Sequence, residues 1–122
     1  MKLWGPTGAV LGLAAVALGA AGSHAVPMDD YRTSLFETAS RYHFYHALAL
    51  IAVGLAIGHA RAMWAHFAGM AFLFGTVMFC GSLYLRAFGL MTPSFMAPVG
   101  GTALMAGWLL LAIAIFLGRR RP

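Results

Sequence analysis

The residues able to do chemistry are crowded into one stretch. Residues 36–50 read FETASRYHFYHALAL, which sets Glu37, Arg41, His43 and His46 beside Tyr42 and Tyr45. On a helix, Glu37 and Arg41 are i,i+4 in the order that favours an ion pair. Tyr42, His43 and His46 share one stripe by i,i+3 and i,i+4 spacing. Three chemistries fit the group. It can cap helix ends and anchor a bundle at a membrane surface. It can bring His24, His43 and His46 together as metal or haem ligands, although Glu37 is the one carboxylate near them. Or Glu37, Arg41, the histidines and Arg86 can line the entry to a proton or small-solute path.

Other reactive patterns are missing. Cys80 is the single cysteine, so no internal disulfide and no CxxC or Cys/His metal spacing exists; it reads as a small apolar core residue. The sequence has no nucleophile elbow, phosphate loop or HExxH. A non-enzymatic protein without metal or cofactor is the expectation.

The elements that must hold this stretch are apolar. The chain has 122 residues, 61% hydrophobic and 9% charged, with a mean hydropathy of +0.82. A soluble domain carries roughly a quarter charged residues, so this surface must face lipid. The net charge of +5 could signal nucleic acid, but the cations sit at the ends of apolar runs, as membrane topology demands. The lipid bilayer is the expected partner, and nucleic acid is not.

Four apolar or half-apolar segments follow one another: 3–22, 35–59, 63–86 and 99–117. They predict a single all-α integral membrane domain over 1–122, a four-helix up-down transmembrane bundle. Lys2, the apolar run 9–18 and Ser23-His24-Ala25 imitate a cleavable signal peptide; a retained first span is expected instead. Gly8 and Gly12 form a small-xxx-small face for close helix packing. Ser34 and Glu37 spell a capping box, which predicts that the second helix starts near Leu35. Its apolar part is short for a span unless Tyr42–His46 lie at headgroup depth. Pro93 and Pro98 predict a loop over 88–98.

Up-down topology gathers His24, Glu37, Arg41, Tyr42, His46, Ser82, Tyr84 and Arg86 at one face, with Thr92 and Pro93. It also sets Lys2, Arg61, Arg119, Arg120 and Arg121 on the opposite face, against Arg32, Arg41, Arg86 and all three acids. That bias predicts cytoplasmic termini. His59, His66, Trp64 and Trp108 read as interfacial or packing residues. HALALIAVGLAIGHAR and TALMAGWLLLAIAIFLGRR align loosely, but apolar helices match easily and the alignment carries no weight.

Four blocks resemble a known family. GAAGSHA (19–25), FETASRYHFYHALAL (36–50), GTVMFCGSLYLRAFG (75–89) and TPSFMAPVGGTALMAGWLLL (92–111) are similar to the domain of unknown function 423 group. That group includes small bacterial inner-membrane proteins and the animal transmembrane protein 256. The resemblance implies that His24, Arg41, Tyr42, His46, Ser82, Tyr84, Pro98, Gly100, Gly101 and Trp108 are signature positions, with Gly100 and Gly101 joining Gly8 and Gly12 in helix packing. His43 stands where the family suggests a polar residue such as glutamine, which speaks against a His43–His46 metal pair. Either Pro93 or Pro98 answers to the family proline. The resemblance implies a bacterial inner-membrane location and brings no activity. The expected role is a structural or accessory component, with a membrane-protein partner or a second copy of the chain. A transporter or channel component is the alternative, ranked second because the middle of the spans offers only Thr76, Cys80 and Thr102.

Overall fold

The computed structural model describes residues 3–25 and 29–119, with only the backbone of 23–25. The expectations placed on Lys2, the His24 side chain, Arg120 and Arg121 concern positions outside the described residues. Four α-helices follow in order: α1 Trp4–Ala25, α2 Asp30–Ala56, α3 Ala62–Ala87 and α4 Met96–Leu117. No strand occurs among the described residues.

Helix ends follow local chemistry. The Asp29 carboxylate accepts the Arg32 N–H at 2.8 Å and caps α2, so the helix begins at Asp30 rather than near Leu35. Ser34 and Glu37 therefore lie inside the helix, because an equally good cap stands five residues earlier. α3 ends in a Schellman motif: Gly89 takes φ of +89°, and the Leu90 N–H reaches the Leu85 carbonyl at 2.9 Å. α4 starts at Met96, not near 99. Pro98 sits in its first turn, where no intrahelical N–H is lost.

The helices run up and down. Gly22 of α1 abuts Phe36 of α2, Arg32 of α2 meets Ala87 of α3, and Arg61 before α3 meets Ala114 of α4. Contacts follow chain order and are most extensive between α3 and α4; α1 and α4 make no comparable contact. One apolar core joins Trp4, Leu50, Val53, Phe72, Leu104 and Leu111. A second, towards the other end, joins Phe36, Ala39, Cys80, Leu83 and Tyr84. Leu13, Val16, Phe74, Val77, Met105, Leu109 and Phe116 point outward, the inverse of a water-soluble bundle.

Among the described residues three helices are long and apolar enough to cross a membrane on their own: α1, α3 and α4. α2 has the length, 27 residues and so about 40 Å. Its first half carries Asp30, Arg32, Glu37 and Arg41, which lower its hydropathy. It nevertheless runs the length of the bundle beside α1 and α3.

Candidate functional site

α2 supplies most of the polar groups, and its neighbours decide what each one does. His46 is buried. Its Nδ1 lies 2.7 Å from the Tyr42 carbonyl, and its Nε2 lies 3.0 Å from Trp108 Nε1 on α4. A carbonyl only accepts and an indole N–H only donates. Nδ1 must therefore carry the proton and Nε2 the lone pair. This fixes His46 as a neutral imidazole in the Nδ1–H tautomer. Phe72 closes the site, its ring centroid 5.7 Å from His46 and 4.9 Å from Trp108.

One turn earlier, His43 Nδ1 lies 2.9 Å from the Tyr84 hydroxyl of α3, both side chains buried. This bond links α2 and α3; the His46–Trp108 bond links α2 and α4. A third bond joins Trp4 Nε1 of α1 to His66 Nδ1 of α3 at 3.0 Å. Both indole–imidazole bonds join residues 62 positions apart.

These groups differ in where they stand along their helices. The partners of His46, Phe72 and Trp108, stand near the middle of α3 and α4. His43 and His46 stand near the middle of α2, more than three turns from its N-terminus. Tyr42 is partly exposed and stacks on Phe79 at 5.1 Å. Glu37 and Arg41 are exposed, and they do not form the expected pair: Arg41 reaches Thr38 Oγ1 at 3.5 Å, leaning back towards the start of α2 as a snorkelling arginine does. Ser82 is fully buried and donates to the Phe79 carbonyl of its own helix at 2.8 Å. Arg86 donates to Thr92 Oγ1 at 2.8 Å, so the end of α3 and the last loop do meet.

Three participants escape the sequence. Arg32 donates through Nε to the Ala87 carbonyl at 2.6 Å, placing a cation on the negative end of α3. Arg61 does the same for α4, reaching the Gly118 carbonyl at 3.2 Å. Trp108, half exposed, is a hydrogen-bond donor to a buried histidine as well as a packing residue. Thr76 Oγ1 is buried without a hydrogen-bond partner. Among the described residues no three His, Cys, Asp or Glu side chains converge as metal ligands.

A family model described as protein of unknown function (DUF423) matches residues 18–101. The chain belongs to this family. A UPF0382 membrane protein of Staphylococcus epidermidis is 36% identical over 122 residues, covering 93% of this chain and 95% of that protein. The UPF0382 inner membrane protein YgdD of Escherichia coli K12 is 32% identical over 116 residues, covering 93% and 88%. A UPF0382 membrane protein of Staphylococcus haemolyticus is 35% identical over 119 residues, covering 95% and 97%. No solved structure matches the chain. The DUF423 segment contains His43, His46 and Tyr84, whereas Trp4 and Trp108, the two indole donors, lie outside it.

Proposed function

We propose that this DUF423 protein is a non-enzymatic structural or accessory component of a bacterial inner-membrane assembly. In this reading α2 is the fourth crossing and both termini are cytoplasmic. One observation carries it: the imidazoles within the bundle are spent on joining helices. His46 has its proton on a backbone carbonyl and its lone pair on Trp108, and His43 is held by Tyr84. A histidine with both nitrogens engaged locks helices at fixed register rather than passing a proton on. The cation bias between the two faces supports the orientation.

The transport reading gains one observation. His43 and His46 stand near the middle of α2, beside a span that also buries the unpartnered Thr76 hydroxyl; polar groups inside a bundle mark solute paths in many membrane proteins. Extraction of native membranes in mild detergent, followed by purification through this chain, separates the two. A stoichiometric companion protein is expected. A lone monomer, together with proteoliposome flux that His46→Ala abolishes, would reverse the ranking.

A further inference from the structure

The face that carries the start of α1 and the end of α4 holds a cavity of about 410 Å³ lined by Ile57, Ala60, Arg61, Ala62, Met63 and Arg119. Its two charged walls are both arginine. Arg61 spends Nε on the Gly118 carbonyl, which fixes the guanidinium and leaves its terminal nitrogens as donors. Arg119 is exposed. The chain's acids are Asp29, Asp30 and Glu37, all in the first half of α2 or just before it, at or towards the opposite end. Among the described residues no acidic side chain lines this cavity. Arg120 and Arg121 follow directly in sequence. Ile57 and Met63 give the cavity an apolar side.

A comparison within the molecule sharpens the point. At the other end a cavity of about 440 Å³ also has two arginines, Arg32 and Arg86, but Asp29 shares it. There Arg32 serves the Ala87 carbonyl and Arg86 serves Thr92, and the end of α3 presents its negative pole. At the Arg61 end the start of α3 has no side-chain cap, and Arg61 covers the Gly118 carbonyl at the end of α4. The lining of this cavity holds no acid, whereas that of the other holds Asp29.

We propose that the Arg61–Arg119 cavity is a phosphate-binding site at the membrane face, taking the headgroup phosphate of an anionic lipid. Arginine suits a phosphate because its planar donors match the oxygens, and basic pockets between membrane helices hold lipid headgroups in this way. The apolar side accommodates the start of the acyl chains.

The test uses the full chain in nanodiscs of phosphatidylcholine with or without phosphatidylglycerol. Retained lipid is read by native mass spectrometry and the unfolding temperature by fluorescence. Arg119 has no role in holding a helix end, so Arg119→Glu is the informative variant. Arg61→Lys keeps the charge but drops the bond to Gly118, and isolates folding effects. The wild type should prefer phosphatidylglycerol and gain stability from it. Arg119→Glu should lose roughly tenfold in that preference while unfolding at the wild-type temperature in pure phosphatidylcholine. Equal retention by wild type and Arg119→Glu overturns the proposal. Stabilisation by millimolar inorganic phosphate, lost in Arg119→Glu and unmatched by phosphatidylglycerol, keeps the site but overturns the lipid as its source.

Discussion

At the scale of single residues, a buried polar atom matters most by whether it has a partner. His46 and Thr76 make the contrast. Trp108→Phe keeps an aromatic ring but leaves His46 Nε2 without its donor, which should cost about 0.5–1.5 kcal/mol. Thr76→Val replaces a hydroxyl that has no partner by a methyl group of similar shape, and should be neutral or stabilising. Unfolding in a mild detergent with increasing denaturing surfactant checks both together; a costly Thr76→Val would mean that the hydroxyl has a use. The sequence exposes the histidines but not their partners. Spacing along one helix reports which residues share a face, whereas the Trp108 donor arrives from a helix far along the chain. The same limit hides Arg32 and Arg61, whose acceptors are backbone carbonyls and leave no trace in residue type. The expected Glu37–Arg41 pair was a sound local inference, but an exposed pair of this kind gains only a few tenths of a kcal/mol, too little to fix the geometry.

At the scale of helices, existence was readable and limits were not. Apolar runs broken by polar turns mark all four helices. The start of α2 was misread because Asp29 and Ser34 are both competent caps, and one turn of polar helix satisfies its own backbone as well as a loop would. With that shift of five residues, His43 and His46 fall near the middle of α2 instead of in its first turns. Packing between helices separates glycines that look alike in sequence. A Cβ on Gly8 would stand 2.6 Å from the Ala47 carbonyl oxygen, and one on Gly100 would strike the backbone of Phe79. Their partners in the sequence motifs have room: at Gly12 and Gly101 the nearest atoms lie 4.0 and 3.7 Å away. Gly100→Ala should therefore cost about 1–3 kcal/mol by forcing α3 and α4 apart, and Gly101→Ala less than about 0.5 kcal/mol. Comparable losses at both positions, measured as the fraction folded in detergent, would contradict the close approach.

At the scale of the whole molecule, the bundle is open along one edge. α1 leans on α2 and reaches α3 through Trp4 and His66, but it does not close against α4. An apolar recess of about 310 Å³ between α1 and α3, lined by Pro6, Thr7, Val10, Leu11 and Leu73, lies along α1. The common separation of 62 residues between Trp4 and His66 and between His46 and Trp108 extends to the helices themselves. A shift of 62 carries Ala25, the end of α1, onto Ala87, the end of α3, and Ala56, the end of α2, onto Gly118, the cap of α4. The helix starts do not follow that shift: Trp4 falls four residues inside α3 and Asp30 four residues before α4, so the two hairpins correspond at their helix ends and at these two contacts. In sequence this register competes with many others, since one apolar helix aligns with another almost anywhere.

Such a molecule is two hairpins held on one tether. The short turn between α2 and α3 raises the effective concentration of one hairpin for the other, and the α2–α3 contact with two indole–imidazole bonds does the rest. Expressed together as separate pieces, residues 1–59 and 60–122 should recombine in the membrane and copurify. Trp108→Phe should weaken that recovery more than it weakens the intact chain, because the tether no longer hides the loss. Each half of this protein is the other's first binding partner.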